Sequence, residues 1–177
     1  MTPAARPPAA TAPALRVLTP AVPPPPPAPD NPNWHQQFPC RSYIELAAES
    51  SAAPAARYRL RDDLARWRLR VDTDDAELVS AELVANAVTA TNGATWQLAR
   101  PPVRLWAIGG GGTLYILTWD ATILAPQPAQ PGAWDDSGRG LQIIDALAHW
   151  GYYYPPGEQA GKVVWARLPK LFREGHS

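Results

Sequence analysis

Ser80-Ala81-Glu82-Leu83-Val84-Ala85-Asn86-Ala87-Val88 is the stretch on which the rest of the chain turns. From Leu78 to Val88 the polar residues are Ser80, Glu82 and Asn86 alone. A helix that is apolar nearly all round is normally buried. Glu82 and Asn86 are spaced i and i+4, so they share one face of that helix. A carboxylate and an amide buried one turn apart cost free energy unless something polar meets them. A hydrated metal or a nucleotide would meet them. A helix whose Glu82 points to solvent and whose Asn86 satisfies a backbone group fits the same residues.

A second segment, Ser137-Gly138-Arg139-Gly140-Leu141, runs into Gln142-Ile143-Ile144-Asp145-Ala146-Leu147. A Gly-x-Gly turn entering an amphipathic helix offers backbone N–H groups and the positive end of a dipole to an anion. It is not a Walker loop, because no Gly-Lys-Ser/Thr follows. It is not a dinucleotide fingerprint, because no strand leads directly into it.

Working outward, Asp72, Thr73 and Asp74 supply a cap and first-turn negative charge for a helix over 74–91, ended by Asn92-Gly93. A preceding helix spans 54–69, with Pro54 in its first turn and Arg57, Arg59, Arg61, Arg66 and Arg68 as a solvated face. Tyr43-Ile44-Glu45-Leu46 reads as a short strand. Val103–Ile108 and Leu114–Trp119 alternate as strands around the turn Gly109–Gly112. Residues 121–139 are aperiodic and carry Pro126, Pro128 and Pro131, which reads as a functional loop such as a lid. A helix follows from Gly140 to about His149, ended by Gly151, and Val163–Leu168 is a closing strand. That order predicts an α/β two-layer sandwich: a mixed, mostly antiparallel sheet with about three helices on one face.

Of 22 prolines, those from Pro3 to Pro32 crowd the N-terminus and include the run Pro23–Pro27. Such a segment forms neither helix nor sheet, so 1–40 reads as a disordered tail, 41–170 as the domain and 171–177 as a flexible end. A proline-rich adaptor ligand is the other reading of the tail. Formal charge is zero, which argues against nucleic acid as a direct partner. No apolar run approaches a membrane span, and the N-terminus shows no basic-then-apolar secretory pattern. The single cysteine, Cys40, permits no internal disulfide and fits a cytoplasmic setting. His35, His149 and His176 are scattered, so no structural zinc set is present. No nucleophile elbow accompanies the serines, and the eight tryptophans read as core and edge packing. Asp120, following an apolar strand, is either a turn-starting aspartate or an acceptor for an adenine amino group.

In this order the pieces resemble the histidine-kinase-type ATPase superfamily, and within it the small anti-sigma-factor serine/threonine kinases. The run Glu82–Ala87 resembles that group's asparagine box. Asp120 with Pro126 resembles its first glycine box. Gly138-Arg139-Gly140-Leu141 with Ile143 and Trp150-Gly151 resembles its second, and Gly161–Trp165 its closing strand. The match covers roughly 41–169.

The resemblance implies the histidine-kinase-type ATPase fold, with ATP and Mg2+ as cofactors. It implies that Asn86 binds magnesium and that Glu82 polarises the attacking hydroxyl or water. It further implies that Asp120 and Thr122 lie at adenine, and that Gly138, Arg139, Gly140 and Leu141 close over the phosphates. Its partners would be a sigma factor or an antagonist protein, and it implies a homodimer. One departure stands out: the family's Asp-x-Gly is here Asp120-Ala121-Thr122. Thr122 either narrows the adenine pocket or replaces a contact with its hydroxyl. Three functions follow: a serine kinase acting on an antagonist, a non-catalytic nucleotide-sensing interaction module, or an ATPase without a protein substrate.

Overall fold

The computed structural model describes residues 34–126, 139–155 and 161–169. Its elements run α1 (Trp34–Gln37), β1 (Cys40–Leu46), α2 (Ala52–Trp67), α3 (Thr73–Gly93), β2 (Val103–Gly110), β3 (Thr113–Asp120), α4 (Arg139–Leu147), β4 (His149–Tyr153) and β5 (Lys162–Leu168). The prolines before Asn33, most of the expected lid and the end from 171 lie outside the described residues. The single-turn α1 and the first residue of β1 fall within the stretch 1–40 expected as tail.

Ala52, Ala56, Leu60 and Leu64 recur every fourth residue, and this stripe seats α2 in the core. The helix ends at Arg68, whose backbone turns left-handed (φ 52°) while its N–H reaches the Leu64 carbonyl at 3.0 Å. Asp72 caps α3: its carboxylate accepts from the Asp75 N–H at 3.0 Å. Ala76, Val79, Leu83, Val84 and Ala87 are buried along α3, so it is the central helix, touching α2, α4 and the sheet.

Strand alternation divides the sheet into two faces. Leu105, Ala107, Leu114, Ile116, Val164, Ala166 and Leu168 pack with the buried stripes of α2, α3 and α4. Burying one such aliphatic side chain contributes about 1.5–3 kcal/mol. Trp106, Ile108, Tyr115, Leu117, Trp119 and Val163 form a second cluster on the opposite face, joined by Phe38, Tyr43, Tyr153 and Trp165. Trp106 and Trp119 are thus core residues, as the sequence suggests for its tryptophans.

The five-stranded sheet has the order β1-β2-β3-β5-β4, and each neighbouring pair is antiparallel. The expected mixed sheet is therefore corrected among the described strands. Two helices, not one, cross between β1 and β2, so the chain returns in the opposite sense. The strands β3 and β4 do point the same way, but β5 lies between them.

Three local expectations change. The strands β2 and β3 run on to Gly110 and Thr113, so the turn is only Gly111-Gly112, both at positive φ (60° and 82°). Helix α4 stops at Leu147, and Gly151 lies inside the strand β4 rather than ending a helix. It is matched there to Trp165, whose indole occupies the space a side chain at 151 would need. Finally, the α2 arginines are not simply a solvated face. Arg61 forks onto Glu77 with two bonds of 2.6 Å, and Arg59 and Arg66 both bind Asp63. Glu77 and Asp63 are themselves buried, so these pairs tie α2 to α3 and stiffen α2.

Candidate functional site

The packing of α4 on α3 brings the two sequence segments together. Gly140, the second residue of α4, is buried against Glu82 and Asn86. A Cβ placed on Gly140 would lie 2.6 Å from Glu82 Oε2, 3.2 Å from Asn86 Oδ1 and 3.3 Å from Asn86 Nδ2. No side chain larger than hydrogen fits there without moving Glu82. A close approach of backbone to polar side chains is what a glycine at this position permits.

Glu82 and Asn86 are half-buried, so their helix is less enclosed on this face than its sequence suggests. The Asn86 Nδ2 atom is nevertheless buried and has no hydrogen-bond partner among the described residues. That amide therefore does not satisfy a backbone group through its nitrogen. Ser80, six residues earlier, is fully buried, and its hydroxyl likewise has no partner among the described residues. Buried unpaired polar groups are uncommon in folded proteins, because each carries an uncompensated loss of hydration.

Of the other second-segment residues, Gly138 lies outside the described residues. Arg139 begins α4. Leu141 is buried in the core between helices and sheet, where its role is packing.

Asp120 ends β3 on the helix-facing side, since it alternates with Ile116 and Thr118. It is 1 % exposed, and its carboxylate is engaged by the chain itself. The Thr122 N–H and hydroxyl donate to Oδ1 at 2.9 and 2.5 Å, and Lys162 Nζ donates to the same oxygen at 2.8 Å. Lys162 also donates to Thr122 Oγ1 at 2.6 Å. The Thr122 hydroxyl is thus taken up within the chain, donating to Asp120 and accepting from Lys162. Lys162 was not among the residues singled out from sequence. The signal that could have found it is its register opposite Asp120, which becomes readable only once β3 and β5 are known to pair.

Two tyrosines on the second face have raised pKa values. Burial pushes Tyr43 up, helped by its hydroxyl bond to Glu45. Burial alone pushes Tyr153 up, and its buried hydroxyl also has no partner among the described residues. Arg104 lies 4.4 Å from the Trp119 ring centroid on that face.

Among the described residues no group of three or more His, Cys, Asp or Glu side chains could hold a metal alone. A metal near Asn86 would need further oxygens from a ligand. Among the same residues no helix is long and apolar enough to cross a membrane. Compared with family models and with curated proteins, the chain gives no match.

Proposed function

We propose that this protein is an ATP- and magnesium-binding regulator of the histidine-kinase-type ATPase class, acting as an anti-sigma-factor-like serine kinase. The observation that carries the reading is the meeting of Gly140 with Glu82 and Asn86, two segments more than fifty residues apart in sequence. Neither segment is specific alone. Their contact supports one shared site at the start of a helix, where backbone N–H groups favour phosphate.

The residues fit the cofactors. Magnesium takes hard oxygen ligands and keeps several waters, so one amide oxygen plus phosphate oxygens is a sufficient set. Asn86 would supply that oxygen, and the ion would neutralise charge on the phosphates. Glu82, one turn away on the same face, is the residue to accept a proton from an attacking hydroxyl. Asp120 would lie at the base. The partner would be a sigma factor or its antagonist protein, with the transferred phosphate going to a serine of the antagonist.

The test is a melting experiment on the full chain. ATP with magnesium should raise the melting temperature, since a ligand specific to the native state stabilises it by about 2.7 kcal/mol at a hundredfold excess over Kd. Asn86→Ala should abolish the magnesium-dependent part of the shift. No shift at millimolar ATP and magnesium would end the reading. A magnesium-dependent shift that survives Asn86→Ala would remove Asn86 as the ligand.

A further inference from the structure

The cluster of Asp120, Thr122 and Lys162 has capacity left over. The register sets Asp120 opposite Lys162 at the common end of β3 and β5. Gly161, at φ 138°, lets the chain pass against the Asp120 carbonyl just before Lys162. Both charged side chains then turn to the helix-facing side, Lys162 alternating with Val164 and Ala166. They are almost completely buried, at 1 % and 3 % exposure.

Among the described residues, every hydrogen bond to the Asp120 carboxylate ends on Oδ1. Oδ2 accepts none. An ammonium has three N–H donors, and Lys162 spends two of them, on Asp120 Oδ1 and Thr122 Oγ1. What remains is one acceptor and one donor on the same buried ion pair. Burying such a pair is costly, and the cost is offset only when the remaining valences are also satisfied.

We propose that Lys162 is a specificity-determining residue, whose spare N–H, together with Asp120 Oδ2, reads the edge of an adenine base. The 6-amino group would donate to Asp120 Oδ2, and N1 would accept from Lys162 Nζ. This rests on the nucleotide reading above and adds to it a second base-reading group. A 6-oxopurine presents the reverse pattern, with an acceptor at O6 and a proton on N1. Its N1–H would face the ammonium and its O6 the carboxylate. Exchanging the two contacts would require the purine to slide along its edge and carry the ribose with it.

The experiment compares ATP with ITP, which differ only at this edge, by calorimetry on the full chain with magnesium. ATP should bind about 10- to 100-fold more tightly, as expected when one paired polar edge is mismatched. Lys162→Met should lower ATP affinity and narrow the preference severalfold, while Asp120 Oδ2 still tells the 6-amino group from an oxygen. Because that variant leaves Asp120 buried without its partner, the uncharged double variant Asp120→Asn with Lys162→Met is measured as well, and it should bring the two nucleotides to within about threefold. Equal binding of ATP and ITP by the wild type overturns the inference while leaving nucleotide binding intact. So does a preference for ATP that is undiminished in Lys162→Met. Tighter ATP binding by Lys162→Met also overturns it, since Lys162 would then be standing where the base belongs. Failure of both nucleotides to bind overturns the nucleotide reading and this inference with it.

Discussion

Two polar places on the helix-facing side of the sheet are built on opposite lines. At the strand ends, Asp120, Thr122 and Lys162 hold one another through four hydrogen bonds. On the helices, Glu82 and Asn86 make no side-chain hydrogen bond among the described residues, and the Asn86 nitrogen is buried without a partner. The first place is mostly completed by the fold. The second is assembled by the fold and left open on its polar side. The difference is one of balance: a mutation at the strand ends should act on folding as well as on binding, and one on the helices mainly on what the protein binds.

The largest expected effect follows at the strand ends. Asp120→Ala strands the buried Lys162 ammonium and should cost about 3–5 kcal/mol, read from urea denaturation. A loss under about 1 kcal/mol would erase the contrast, because the cluster would then contribute little to folding. On the helix side, Glu82→Gln should change stability by less than about 1 kcal/mol, since no internal bond is lost. It should still slow phosphoryl transfer to a verified protein partner by about 10²- to 10⁴-fold. Equal transfer by the two proteins would take Glu82 out of the chemistry. If neither transfers phosphate but both bind that partner in an ATP-dependent way, the sensing module is the better function.

The smallest effect belongs to the other end of α3. The Asp75 carboxyl is held above its ordinary value by burial and by the neighbouring Asp72 and Asp74. A carboxyl raised in the folded state opposes folding when charged. That penalty is complete above its folded pKa and disappears as pH falls toward the unfolded value. Asp75→Asn should therefore add up to about 0.5 kcal/mol near neutral pH, with the gain fading in acid. A gain that is the same at both pH values would point to a cause other than charge.

The elements carried by local signals were legible in advance. The helix expected over 74–91 is Thr73–Gly93, because an aspartate cap and an apolar run mark it without help from the rest of the chain. The hairpin was legible in its strands but not in its turn length. Gly109 and Gly110 look like turn residues, yet they pair with Leu114 and Thr113 across the ladder. The edge strand β4 was blurred because His149-Trp150-Gly151 resembles a helix end when its partner β5 is unknown. The same holds for the site. Glu82 and Asn86 could be paired by spacing along one helix. Lys162 lies forty-two residues from Asp120, and only the pairing of two strands brings it there.

The adjacency of β3 and β5 has a consequence for how the chain can vary. The chain leaves β3 after Asp120 and returns beside it at Lys162, having laid down α4 and the edge strand β4 on the way. This is a closed detour whose two ends are clamped by strand pairing and a buried ion pair. The entropic cost of closing such a detour grows only with the logarithm of its length, about 0.6 kcal/mol for each doubling. Insertions or deletions between β3 and α4 thus burden the frame lightly. The reach of the segment that delivers Gly140 to α3 is adjustable without rebuilding the sheet.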